Sequence, residues 1–252
     1  MQKKELADGI IHYTFPPRRE TSCFGDGIVA VVDDNEAVLI DAGYEDEAAL
    51  VLDDLNKNGI TIAGLVISHF HADHFHGMRV LPKVPVYGGA HYEETLVFEG
   101  YLKDAIVQCA PSIPIDKPTT IKVGKHALEL IPIVGHSVCT MFVKIDDRFL
   151  YIADEIMFST DGRLMLPYLC AGKSDIEQQL AAHKQLKDYA GLTIIPAHGP
   201  AFDGCNLQDY VRNLGIYLDA VLTSDGKVTY EDAVKNCDYP LASSHWHDAN
   251  CK

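Results

Sequence analysis

The sequence predicts a four-layer αββα sandwich of the α/β (α+β) class, and two observations carry that expectation. Strand-like runs and a helix open the chain, and strands followed by helices return after residue 119. Several of the strand-like runs end directly on residues that ligate metals, and strand ends are where a rigid scaffold can aim side chains. This order fits layered sheets flanked by helices better than one continuous βαβ sheet. A length of 252 residues suits one large domain or two small ones; with no linker-like segment to mark a boundary, a single domain over 1–252 is expected, with a short helical C-terminal extension from about 206.

The elements follow in order. Ile28–Asp33 and Ala37–Asp41 are apolar runs around the turn-like Asp34-Asn35-Glu36, which predicts a hairpin. Residues 45–57 carry Leu50, Leu52 and Leu55 among charges, a helical pattern. Leu65–Ser68 is a short buried strand that runs into a histidine-rich segment, and a short helix is expected near His74. Val84–Tyr87 predicts a strand and 90–109 a helix. Four strands are expected at 119–123, 127–134, 139–146 and 149–153. Ser174 with Glu177 forms a capping box ahead of a helix bearing Ile176, Leu180 and Leu186. Leu192–Ile195 is a strand, and 206–223 is an amphipathic helix with Asn206 as its N-cap.

Composition narrows the function classes. The chain is 47% hydrophobic and 23% charged, as in globular proteins, and no apolar run approaches the roughly 20 residues of a membrane span. Met1–Asp8 lacks the apolar stretch of a secretory signal, so a cytoplasmic location is expected. Thirty-six acidic residues against 21 basic ones leave a formal charge of -15, which repels phosphate backbones. The expected partner is a small-molecule substrate, with no nucleic acid and no membrane; a homodimer is compatible with the chain. The seven cysteines are scattered without a CxxC pair and are expected as reduced thiols.

The chemistry concentrates in His69-Phe70-His71-Ala72-Asp73-His74. Four ligand-type side chains within six residues converge only from a loop, and imidazoles with a carboxylate suit Zn, with Fe, Mn or Co also accepted. His136 closes the apolar run Leu128–Val134, Asp154 ends Phe149–Ala153, and His198 follows Thr193–Ala197. A histidine after one strand is ordinarily a satisfied polar residue; the repeated placement is what points to a metal centre.

These motifs resemble the metallo-β-lactamase superfamily, in the branch with H-x-H-x-D-H, a downstream G-H-[ST], an Asp at a strand end and a final His before Gly. The resemblance runs from about residue 25 to 200. It implies the metallo-β-lactamase sandwich and two divalent metal ions, most simply Zn, with Fe or Mn as alternatives. His69, His71 and His136 are implied for the first metal, Asp73, His74 and His198 for the second, and Asp154 as the bridge. Asp41 is implied as a support of the ligand loop behind the metals. The implied reaction is hydrolysis of an ester, thioester, lactone or similar small substrate by a metal-bridged hydroxide, with Asp73 and Asp154 as catalytic residues. An iron-dependent sulfur dioxygenase with one iron, or a non-enzymatic ligand sensor that kept the site, are the alternatives.

Some positions depart from the pattern. Val134 stands where many relatives have proline before Gly135-His136, with Ser137 in place of threonine. Met157 occupies the place of a lactone-binding tyrosine three residues after the bridging aspartate in acyl-homoserine lactonases. The tail from about 206 is shorter and more acidic than the glutathione-binding region of hydroxyacylglutathione hydrolases. Substrate contacts are expected from the apolar segment 155–173, through Met157, Phe158 and Tyr168, with Arg163 and Lys173 as candidate cations. Phe70 and Phe75 are expected as core or substrate wall, Cys139 as core. The tail motif His245-Trp246-His247 is expected as a surface tail or subunit contact.

Overall fold

The computed structural model describes residues 1–18 and 23–252, and, of Lys173 and Ser174, the backbone alone. The capping pair of Ser174 and the cation expected at Lys173 therefore lie outside the described side chains. Among the described residues the strands fall into two mixed sheets, of seven and six strands. Two compact units make up the chain: Met1–Pro16, Gly25–Ile133 and Val138–Asp147 in the first, and Pro17–Phe24, Val134–Ser137 and Arg148–Lys252 in the second. The helical part from about 206 belongs to the same unit as the residues from Arg148 onward.

The first unit holds the seven-stranded sheet, in the order β1 (Gln2–Ala7), β2 (Ile10–Thr14), β3 (Gly27–Asp33), β4 (Glu36–Ile40), β5 (Thr61–Ile67), β6 (Val86–Gly89) and β7 (Ile113–Ile115). β1 to β4 pair antiparallel, and β4 to β7 pair parallel. β3 is buried along nearly its whole length, as a continuous apolar run in a central strand must be. The expected hairpin forms, with Asp34 at φ 50 in its turn. α1 (Glu45–Lys57) has three acidic residues in its first turn and Lys57 in its last, matching the helix dipole. Its inward face, Ala48, Val51 and Leu55, enters a core shared with Tyr13, Ile28, Leu39 and Leu65. The short helix expected near His74 is α2 (Ala72–Phe75).

The helix expected over 90–109 is two: α3 (Tyr92–Phe98) and α4 (Lys103–Cys109). Gly100, at φ +82, turns the chain between them, a conformation that only glycine reaches without penalty. The first unit also carries the meander β8 (Thr119–Val123), β9 (His126–Pro132) and β10 (Met141–Ile145), antiparallel throughout.

In the second unit β11 (Phe149–Tyr151) and β12 (Thr193–Ile195) pair parallel, and β13 (Phe202–Asp203) lies antiparallel to β12. α5 (Ile176–Leu186) packs against α6 (Leu207–Thr223), which buries Leu207, Val211, Leu214, Leu218 and Val221. The Asn206 side chain does not cap α6; a 3-10 turn over Gly204–Asn206 leads into the helix, and Asp203 caps that turn instead. α7 (Tyr230–Val234) and α8 (His247–Asn250) complete the unit.

The C-terminal residues are not a loose tail. Asn250 is fully buried; its amide donates to the Pro167 carbonyl (2.8 Å) and accepts from the Leu169 N–H (3.2 Å). His247 bonds the Val228 carbonyl (2.9 Å) and stands 3.2 Å from the Tyr217 hydroxyl, so it is a structural histidine. Among the described residues no helix is long and apolar enough to cross a membrane, and no disulfide joins the seven cysteines.

Candidate metal centre

In the first unit β5 ends at Ile67, and the ligand-type residues occupy the turn that follows. Asp41, with φ 61, lies just beyond β4 and turns a carboxylate under that turn. Its Oδ1 accepts from the Ser68 N–H (2.6 Å), and its Oδ2 from the Ser68 hydroxyl (2.7 Å) and His74 Nδ1 (2.7 Å). A non-glycine residue in the left-handed region costs about 1–3 kcal/mol, and three buried hydrogen bonds hold it there.

Each imidazole is thereby oriented. His74 donates through Nδ1 to Asp41, which leaves Nε2 as its lone-pair nitrogen, 3.7 Å from Asp73 Oδ1. The Ser68 hydroxyl, already donating to Asp41, stands 3.2 Å from His69 Nδ1 and accepts from it. His69 Nε2 then lies 3.0 Å from His71 Nδ1. His71 directs its other nitrogen, Nε2, at Glu99, 3.8 Å away. Metal-binding histidines are held in this way, one nitrogen on a carboxylate or oxygen and the other on the ion.

In the second unit two strand ends and one loop supply the rest. Ala153, at φ 49, turns the chain after β11 so that Asp154 emerges from the strand end. The Ala197 N–H donates to the Ala153 carbonyl (3.0 Å) and ties the turn bearing His198 to the turn bearing Asp154. His198 donates through Nδ1 to the Phe24 carbonyl (3.1 Å), leaving Nε2 3.4 Å from Asp154 Oδ2. His136 Nε2 lies 3.6 Å from the same oxygen.

Donor separations of 3.0–3.7 Å within each unit match the edge of a tetrahedron built from metal–nitrogen bonds of about 2.0–2.1 Å, roughly 3.3 Å. All seven residues belong to groups of His and Asp side chains that could hold a metal ion. The donor set therefore fits a divalent cation, by its chemistry and by its tautomers.

The expected substrate residues separate. Met157 is buried with Met165 and Ala242, against Cys23 and Trp246. Phe158 is buried against the rings of Phe202 and Tyr210. Tyr168 is 40% exposed, and its ring centroid lies 6.2 Å from that of His136 and 5.4 Å from that of Trp246. Arg163 pairs with Asp161. Phe70 and Phe75 are fully buried core residues, as is Cys139, which Thr95 Oγ1 approaches at 3.2 Å.

Sequence reasoning passed over Glu155. It is buried, and its Oε1 accepts from the His136 N–H (2.7 Å) while its Oε2 accepts from Gln179 Nε2 (2.6 Å). Burial pushes its carboxyl up to about 8, against the pull of the His136 N–H. His183, also buried, is lowered to about 4 by the same cause. A charge-type residue inside the apolar run Phe149–Phe158 was the signal available for it.

The sequence model of the metallo-β-lactamase superfamily matches residues 27–198. The chain belongs to this superfamily. A metallo-β-lactamase from Pontibacter korlensis superposes with a TM-score of 0.68 at 18% identity, over 84% of this chain and 99% of that one. The metallo-β-lactamase DIM-1, in a crystal exposed to ceftazidime, gives 0.68 at 19% identity, over 85% and 95%. These likenesses establish the metallo-β-lactamase fold. A hydroxyacylglutathione hydrolase of Hahella chejuensis (strain KCTC 2396) is 30% identical over 108 residues, 42% of this chain. The matched stretch spans only 35% of that relative's length. Superfamily membership and the His/Asp groups together are compatible with binding of divalent metal.

Proposed function

We propose that the chain is a binuclear metal-dependent hydrolase acting on a small ester, thioester or lactone. His69, His71 and His136 would hold one divalent cation, Asp73, His74 and His198 the other, with Asp154 shared between them. The observation that carries the reading is the tautomer pattern. His69, His74 and His198 each spend Nδ1 on a fixed oxygen, so each offers Nε2 as a lone pair. When bound, the cations would supply Lewis acidity and a water acidified toward neutrality.

The chain's own residues do the rest. Asp41 holds His74 and, through Ser68, His69, so both imidazoles are set before a cation arrives. Asp154, facing two imidazoles, is the carboxylate best placed to be shared. Asp73 is the more exposed carboxylate, which suits it to pass a proton to and from solvent. Tyr168, beside His136, presents an aromatic wall to an acyl or aromatic group. The name of the partial relative puts thioesters first among the substrates to try.

The test is a metal count paired with a panel of an S-acylglutathione thioester, an aryl ester, a lactone and a phosphodiester. About two zinc per chain and turnover of one panel member are expected. Asp154→Ala should lower metal content and reduce kcat/KM by about a thousandfold, the several kcal/mol of a lost metal contribution. Full activity with unchanged metal stoichiometry in that variant refutes the bridging role. One iron per chain with oxygen consumption and no hydrolysis overturns the hydrolase reading.

A further inference from the structure

Glu155 occupies a position with no assigned role in the reading above. It follows Asp154 directly in the chain, and its side chain crosses to a different segment to accept the His136 backbone N–H. One buried carboxyl thus links two of the residues that would hold the cations. The fit is tight: a Cβ on Gly135 would stand 2.1 Å from Glu155 Oε1 and 2.7 Å from Ala182 Cβ, so the residue before His136 has no room for a side chain. On the far side α5 grips Glu155 twice. Gln179 Nε2 donates to its Oε2, and His183 Nε2, at 3.1 Å, donates to its backbone carbonyl. Gln179 and His183 are one turn apart on the inward face of α5, and both are buried.

We infer that Glu155, clamped by Gln179 and His183, is a positioning residue that locks the His136 loop against the Asp154 strand end and thereby sets metal affinity. The inference rests on the metal-dependent reading above. Two ligands carried on separate segments bind an ion tightly only if their spacing is fixed beforehand, since ordering them on binding costs affinity. Residues behind the ligands that fix such orientation typically change metal affinity by about 10–100-fold when removed. The pair Gly135 and Glu155 also accounts for the glycine of the Gly-His motif: the carboxyl takes the space that a side chain would need.

The test is zinc affinity of the full chain, by competition with a chromogenic chelator, with the thermal midpoint of the metal-stripped protein measured in parallel. Glu155→Ala should weaken zinc binding by about 10–100-fold. Glu155→Gln keeps an acceptor for the His136 N–H, and its new amide N–H can donate to Gln179 Oε1, which is buried without a hydrogen-bond partner and reaches it by a flip of the Gln179 amide, so the variant should stay within about threefold of the parent. Gln179→Leu should weaken binding several-fold and be non-additive with Glu155→Ala. Zinc affinity of Glu155→Ala equal to the parent's overturns the inference, as does a Glu155→Gln loss as large as that of alanine. If the alanine variant does not fold, unchanged affinity in Gln179→Leu overturns it. A parent chain that binds no zinc sinks the metal reading itself, and this inference with it.

Discussion

At the residue scale, buried imidazoles divide by what each nitrogen meets. His69, His74 and His198 have one nitrogen held by an oxygen, whereas Nε2 of His12 is buried without a hydrogen-bond partner among the described residues. Burial, and then the Lys4 ammonium across the β1–β2 ladder, lower His12 to about 4 from an unfolded value of 6.5. The folded chain therefore takes up this proton only near pH 4, while the unfolded chain takes it up near 6.5. Stability from His12 is complete above about pH 6.5 and is lost as pH falls toward 4, by about 3 kcal/mol in all. Replacing His12 by Leu should flatten that part of the acid limb. Urea unfolding at pH 7.5 and 4.5 should show a smaller loss in the variant by about 2–3 kcal/mol; equal losses in both chains would dismiss the assignment. At this scale the candidate ligands are legible as residue types, because His and Asp after apolar runs stand out. Glu155 was not: a lone carboxylate in sequence carries no sign of which N–H it will accept.

At the scale of elements, legibility followed hydrophobic pattern. β3, β4 and β5 are continuous apolar runs in a sheet interior and were expected where they lie, β5 beginning four residues earlier. β1 was not, since Gln-Lys-Lys-Glu-Leu-Ala is a polar edge strand, exposed along most of its length and defined only by its pairing with β2. β7 and β13 are two or three residues long and exist through their neighbours. The split of 90–109 into α3 and α4 turns on a single backbone angle. A Cβ at Gly100 would meet nothing within 4 Å, so Gly100→Ala isolates the cost of holding alanine at φ +82. A loss of about 1–2 kcal/mol in denaturant unfolding is expected, without change in metal content; a neutral substitution would mean that the turn relaxes elsewhere.

At the scale of the whole molecule, the proposed metal binding would be coupled to folding. A cation that binds the folded chain and not the unfolded one stabilises by about 2.7 kcal/mol per site at a hundred times its Kd. For a chain of this length each kcal/mol shifts the thermal midpoint by roughly 2–4 °C, so loading both sites should raise it by about 10–20 °C over the chelator-treated protein. Near-UV circular dichroism melting measures this, and an unchanged midpoint would argue against metal binding by the folded chain. The sequence by itself determined the family and the residue types of the candidate centre, because ligand chemistry and apolar periodicity are local properties written in adjacent positions. Only the tertiary structure decided which nitrogen of His69, His74 and His198 keeps its lone pair, that Phe70 and Phe75 face the core, that the His247 tail folds inward, and that Glu155 accepts the His136 N–H. Each of these depends on groups far apart in the chain, such as Asp41 with His74 or Asn250 with Pro167, and spacing along a sequence does not encode such meetings.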